Sequence, residues 1–352
     1  MVTKKKVVYI LGAGFSAPLG VPVMSNFIRK SKDIYKSNPK EYGYFEEVYD
    51  EINKMGITLN YMNHDLDNIE NVLSFLEMKS KLENNNKSIT LFRSFIANVV
   101  NSFTPDFGRF TGKTQTKWGA ELYNRLGDKA HHCRFIANLL PIQYIKKPGR
   151  DSKVIQMIEL NDKEADYSII TLNYDLVIEN IIDYLKKSFW GLNIEIDLTK
   201  TDSSNVNLPY VKLHGTAEFP KTIVPPTWNK MYMDNLGDEW ITSYELLKNA
   251  ESIRILGYSL PDTDSYIKYL ITNSFAKIFN LKEIHVICKD DGNNSVKKRY
   301  ESMFKSNYLK FINADIIDYF IKLTHQAEGD RESRVVKWDN LELVHRQFFD
   351  IE

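Results

Sequence analysis

The sequence predicts an α/β protein, a Rossmann-like doubly wound parallel sheet that carries a helical insertion. Two observations predict it. Lys6-Val-Val-Tyr-Ile-Leu11 is a continuously apolar, β-branched run of the kind expected for a strand covered on both faces. Similar short runs recur at Tyr167 to Leu172, Tyr210 to Leu213, Ser252 to Leu256, Glu283 to Cys288 and Leu309 to Ile312, with segments between most of them long enough for crossover helices.

Taken in order, the first run ends in Gly12-Ala-Gly14, which reads as a tight turn into a helix. Between about residues 30 and 160 long charged and aromatic helical segments follow with no comparable strand, so this stretch reads as the insertion. One of its helices is legible in detail: Asp67 is placed to cap a segment in which Ile69, Val72, Leu73 and Leu76 form one apolar stripe. The expected organisation is a core of residues 1–30 and 160–315, an insertion at 31–159, and at 316–352 a helix from Ile316 to Leu323 followed by a mostly polar tail.

Composition narrows the function classes. The 352 residues carry a formal net charge of zero, which argues against a surface built throughout to bind phosphate, and direct nucleic-acid binding is not expected. A 43% hydrophobic and 26% charged composition fits a globular chain and excludes collagen, coiled coil and disorder. The two cysteines, Cys133 and Cys288, cannot build a four-thiolate zinc site, and no metal is expected. No stretch approaches the roughly 18 apolar residues of a spanning helix, and Val7 to Leu11 does not resemble a signal peptide, so a cytoplasmic protein off the membrane is expected.

Four clusters carry candidate chemistry, each just past a strand, where open α/β sheets bind ligands. Gly12-Ala13-Gly14-Phe15-Ser16 would let the backbone approach a pyrophosphate, or would serve as a tight turn. In Thr171-Leu172-Asn173-Tyr174-Asp175, Asn173 both donates and accepts and Asp175 accepts from a ribose hydroxyl or carboxamide, or else both cap the next helix. His214, followed by Gly215, is a titratable group free to face a cleft. Gly257-Tyr258-Ser259 is placed to receive another phosphate or ribose, while Asp262 or Asp264 reads as the cap of the following helix. Cys288-Lys-Asp-Asp291 either holds a ribose or forms a solvated turn.

The four clusters, in this order, resemble the sirtuin family, whose motifs run G-A-G-x-S, T-Q-N-x-D, H-G and G-x-S, and specifically its bacterial Sir2-like branch of NAD-hydrolysing defence proteins. Asp67-Asn-Ile-Glu-Asn-Val-Leu73 and Pro225-Pro-Thr-Trp-Asn-Lys230 also resemble that branch. The four-cysteine zinc ribbon of deacylating sirtuins cannot exist here, and Gly20-Val-Pro-Val-Met-Ser25 stands where they carry G-I-P-D-F-R, so a role in shielding nicotinamide does not carry over.

The resemblance implies that NAD+ is the substrate, cleaved to nicotinamide and ADP-ribose. Gly12 to Ser16 and Gly257 to Ser259 would grip the pyrophosphate and adenosine side, Asp175 would contact the carboxamide, Asn173 would orient water, and His214 would accept a proton. It further implies a role in anti-phage abortive infection, gated by homo-oligomerisation or by a partner such as a HerA-like ATPase or an Argonaute. Two other classes are compatible with the residues: an NAD-dependent deacylase or ADP-ribosyltransferase, and a non-catalytic subunit that senses NAD or ADP-ribose.

Overall fold

The computed structural model describes residues 4–59, 68–110, 123, 126–146, 155–159, 163–189, 193–195, 205–224, 237–275, 281–325, 335–336 and 341–351. Its centre is strand β1 (Lys5–Leu11), whose side chains alternate between two cores: Val7, Tyr9 and Leu11 face one layer, Val8 and Ile10 the other. Each buried side chain of this kind is worth about 1.5–3 kcal/mol, which drives an all-apolar run to the middle of a sheet.

Five more strands join it in parallel: β4 (Ala165–Thr171), β7 (Tyr210–Lys212), β8 (Ser252–Leu256), β9 (Glu283–Ile287) and β10 (Leu309–Ile312). The spatial order is β10-β9-β8-β1-β4-β7. The chain therefore winds outward from β1 on one side, then returns to β1 and winds outward on the other. That is the doubly wound order, and its switch point falls between β1 and β8.

One face of the sheet is covered by α6 (Lys129–Leu139), α7 (Val177–Ser188), α11 (Ile316–His325) and α12 (Leu341–Phe348). The other is covered by α8 (Asp238–Lys248), α9 (Ser265–Phe275) and α10 (Ser295–Met303). The turn α1 (Ala13–Ser16) precedes four helices that share a third core: α2 (Phe27–Ser37), α3 (Phe45–Leu59), α4 (Ile69–Glu83) and α5 (Lys87–Phe103). That core also takes in Ala217 and Ile223, from the loop after β7. A short parallel pair, β5 (Asn193–Glu195) and β6 (Asn205–Asn207), completes the α/β part.

Three expectations are corrected. The stretch between residues 30 and 160 does contain strands: β2 (Ile142–Lys146) and β3 (Ile155–Glu159) pair antiparallel, and β11 (Val335–Val336) joins them. A search for continuous apolar runs misses β2 because it alternates, with Ile142 and Tyr144 buried around a half-buried Gln143, and β3 because Gln156 interrupts it. The stretch read as a mostly polar tail contains a further helix, α12, which buries Leu341 and Val344 and, with them, Glu342 and His345. The cap of α4 is Asn68, whose Oδ1 accepts from the Glu70 N–H at 2.9 Å and the Asn71 N–H at 3.3 Å. Asp67 lies outside the described residues, but the stripe of Ile69, Val72, Leu73 and Leu76 is buried as its spacing requires.

Candidate functional site

Loops at the carboxyl ends of β1, β4, β7 and β8 meet the start of α4 around a cavity of about 230 Å³. Pockets for whole drug-sized ligands run to roughly 300–1,000 Å³, so this cavity suits a fragment of a dinucleotide, such as one base and its ribose.

Asn173 and His214, from two different strand ends, both line it, as do Asp175, Gly12, Ala13, Gly257, Tyr258 and Ser259. Gly14, Phe15 and Ser16 do not. Phe15 is fully buried in the core, edge-on to His132 and Phe320.

The glycines hold the two loops together. A Cβ on Gly12 would lie 2.6 Å from the Tyr258 Cα, and one on Gly14 would lie 2.7 Å from the Gly257 Cα. Gly257 itself has φ +63° and sits against the Gly14 backbone. Their amides are engaged: Gly12 donates to the Leu256 carbonyl at 3.0 Å, Gly14 to Gly257 at 2.8 Å, Phe15 to Gly12 at 2.9 Å and Gly257 to Ile287 at 2.9 Å. These four N–H groups are therefore engaged by the protein's own carbonyls. The sequence signal was correct about close backbone approach, but the partner is the neighbouring loop.

Asn173 is locked. Its Nδ2 donates to the Gly12 carbonyl at 3.0 Å and to Ser16 Oγ at 3.2 Å. A carbonyl only accepts, which fixes the amide orientation and makes Oδ1 the group that Asn173 offers a ligand. The Ser16 hydroxyl also favours the ionised form of Asp175, so the last residue of the Gly-Ala-Gly-Phe-Ser cluster acts on two cavity residues.

Asp175 combines both roles the sequence left open. Its Oδ1 accepts from the Val177 N–H at 3.0 Å at the start of α7, and it lines the cavity. Burial pushes its carboxyl up, opposed by Lys212, the Ser16 hydroxyl and the Val177 amide. Lys212 is itself turned away, donating to the Asp175 carbonyl and, at 2.9 Å, to Glu179.

His214 is 3% exposed, and its Nε2 lies 3.6 Å from Asp264 Oδ2. The Tyr258 hydroxyl donates to the same carboxylate oxygen at 2.7 Å. Burial, then the Asp264 charge, pushes the Tyr258 hydroxyl well above its ordinary pKa, so it stays a donor.

The sequence reading missed several lining residues. Glu70 enters from the first turn of α4, and its charge is felt at both Tyr174 and Tyr258. The Asp67–Leu73 stretch was the available signal. Val21, Pro22, Val23 and Met24 form an apolar wall, so the stretch that departs from G-I-P-D-F-R still lies on the cavity. The Cys288–Asp291 stretch behaves as a turn: Asp290 accepts from the amides of Val296 and Lys297, and Asp291 from those of Asn293 and Ser295. Pro225 to Lys230 lie outside the described residues.

Every charged side chain among the described lining residues is an acid or His214: Glu70, Asp175 and Asp264, with no lysine or arginine. Such a lining disfavours a diphosphate and favours a cationic group.

Residues 167–312 match the family model of the SIR2-like domain. No curated protein matches the sequence. Solved structures similar to this chain include a Sir2 complex with a p53 peptide and NAD+ (12% identity, 92% of this chain and 93% of that one, TM-score 0.33). Others are Sir2 bound to acetylated peptide (10%, 92% and 93%, 0.32) and a structure described as the structural basis of sirtuin substrate affinity (12%, 92% and 94%, 0.34). The domain match and the cavity, rather than these distant likenesses, bear on function.

Proposed function

We propose that the chain is an NAD+ glycohydrolase, which cleaves NAD+ to nicotinamide and ADP-ribose. The observation that carries this reading is that Asn173 and His214 line one cavity whose other described charges are all carboxylates. The nicotinamide riboside half of NAD+ is cationic, and its positive charge passes to the ribose ring as the glycosidic bond breaks. A lining of Glu70, Asp175 and Asp264 stabilises both states without reorganising. Nicotinamide departs as a neutral base with the bonding electron pair, so no general acid is required.

Water adds at the vacated sugar carbon and must lose a proton as it does so. Asn173 Oδ1 accepts one water hydrogen and aims the oxygen, while the His214 imidazole takes the other proton and then sheds it to solvent. Products are nicotinamide, ADP-ribose and one proton. The Asp175 carboxylate accepts from the nicotinamide carboxamide, and Val21 to Met24 give the pyridine ring an apolar wall.

In a cell this activity would drain a shared cofactor, so the reading includes a gate. The chain acts as a homo-oligomer or with a partner such as a HerA-like ATPase, and releases its activity during phage infection. Support comes from the SIR2-like domain match and the motif order described above.

The test is chromatographic detection of nicotinamide from NAD+ by the purified chain, across its oligomeric states and with candidate partners added. General acid–base groups contribute typically about 10²–10⁴-fold, and His214→Ala and Asn173→Ala are each expected to lower release within that range. Undiminished turnover in both variants ends the assignment.

A further inference from the structure

The acid that precedes α9 reads in the sequence as a helix cap, but its geometry is wrong for one. Neither carboxylate oxygen of Asp264 accepts from an amide of the first turn of α9: Oδ2 takes the Tyr258 hydroxyl, and Oδ1 is buried with no hydrogen-bond partner among the described residues. The side chain is 4% exposed. A buried carboxylate with one neutral donor is costly, and a structure retains it where a positive charge is to be met. Among the described residues, the nearest group that acquires one is the His214 imidazole, with Nε2 at 3.6 Å.

We propose that Asp264 is the positioning residue of His214: it holds the imidazole proton on Nε2 and faces the imidazolium that forms when water is deprotonated. This rests on the hydrolase reading and deepens it. With Nε2 protonated, Nδ1 carries the lone pair, and the proton taken from water goes there. The positive charge then spreads over a ring whose Nε2 faces Asp264, and the proton leaves to solvent after nicotinamide departs. Apo distances of this length shorten in substrate complexes.

The other described ionisable groups with known positions near the ring are engaged elsewhere or neutral. Tyr174, from the loop after β4, has its ring centroid 6.4 Å from that of His214, and its burial keeps the hydroxyl protonated. Asp175 accepts from the Val177 amide, Lys212 donates to Glu179, and Tyr258 is neutral. The pair also explains the Gly14–Gly257 packing, which fixes the loop carrying Tyr258 and Asp264 against the loop after β1.

Two measurements on the full chain test the pair. The first needs no activity. Nitrogen-15 NMR of histidine-labelled protein, with the His214 signals assigned through His214→Gln, is expected to show the Nε2–H tautomer in the unmodified chain and its loss in Asp264→Asn. Asp264→Ala serves if the amide variant folds poorly. An unchanged tautomer overturns the proposal whatever the enzyme does.

The second is a double-mutant cycle on nicotinamide release. Asp264→Asn is expected to lower kcat by about 10- to 100-fold with KM for NAD+ little changed, as for groups that orient a reactive side chain. Added to His214→Ala, it should cost less than about twofold more. Full additivity would show that Asp264 acts elsewhere and overturn the proposal. A tautomer that depends on Asp264 in a chain that releases no nicotinamide in any state would uphold the pairing and defeat the hydrolase reading.

Discussion

The cavity and the interior beneath α12 both bury charge, and they treat it in opposite ways. Beneath α12, Arg254 at the middle of β8 donates to Glu342 at 2.6 Å and to the Tyr9 hydroxyl at 2.9 Å. Glu342 also receives Lys5 at 3.1 Å and the Tyr167 hydroxyl at 2.9 Å. Burial pushes the Glu342 carboxyl up, but Arg254, Lys5 and Tyr167 outweigh it and hold it down at about 2.

Because a guanidinium only donates, Arg254 sets a direction for the whole chain of groups. Tyr9 passes its proton toward Tyr319 at 3.3 Å, Tyr319 toward His345 Nδ1 at 3.0 Å, and His345 Nε2 toward His285 Nδ1 at 2.8 Å. Both imidazoles are neutral in that chain, consistent with burial lowering His285 to about 4 and His345 well below its ordinary range. Here opposite charges meet, whereas the cavity gathers three acids, Glu70, Asp175 and Asp264, with no lysine or arginine among its described lining residues. Matched charge fixes how the C-terminal helix docks; a lining of one sign favours a cationic ligand.

Breaking the matched side should cost the most stability. Glu342→Ala strands Arg254 in the core and is expected to lower unfolding free energy by about 3–5 kcal/mol in urea denaturation. The double replacement Arg254→Met with Glu342→Leu should recover most of it. If the contrast between regions holds, nicotinamide release per folded molecule stays unchanged in both.

Acid should attack the same region first. The folded-state pKa of His285 lies below its unfolded value, so its contribution is present above pH 6.5 and fades as the pH falls from there toward about 4. Glu342 follows, its contribution present above the ordinary value of 4.5 and lost as the pH falls toward about 2. Denaturation midpoints measured from pH 7 to 2 should decline through both windows, and His285→Gln should flatten the upper one.

The loop crossing offers a smaller test that sharpens the comparison. Gly257→Ala places a methyl 2.5 Å from the Gly14 carbonyl carbon at positive φ, and is expected to cost about 1–3 kcal/mol and most of the activity. Gly20→Ala, also at positive φ but with open space around it, should cost only about 1–2 kcal/mol and spare the cavity. The smallest effect is expected from Asn68→Ala, which loses the α4 cap for about 1 kcal/mol. Since α4 carries Glu70 to the cavity, kcat should fall a few-fold in the same variant.

Much of this was legible beforehand. The runs Ser252 to Leu256 and Leu309 to Ile312 became β8 and β10 with the same bounds; β8, buried on both faces, shows its burial in every residue, while β10 at the sheet edge keeps Lys310 exposed. The interrupted β2 and β3 shared no such mark. At the site, Asn173 and His214 stood out because they follow strands, while Phe15 packs in the core and the glycine amides donate to the protein's own carbonyls. Asp264 looked like a cap because local spacing cannot distinguish a carboxylate that turns toward its own helix from one that turns toward another loop.

The sequence by itself determined the parallel sheet, its winding and the edge at which polar residues collect, since each follows from the local pattern of apolar residues. Only tertiary structure decided the pairings, Asp264 with His214 and Glu342 with Arg254. Polarity belongs to a residue, but a partner is supplied by the fold, and a buried charge has meaning only once that partner is known.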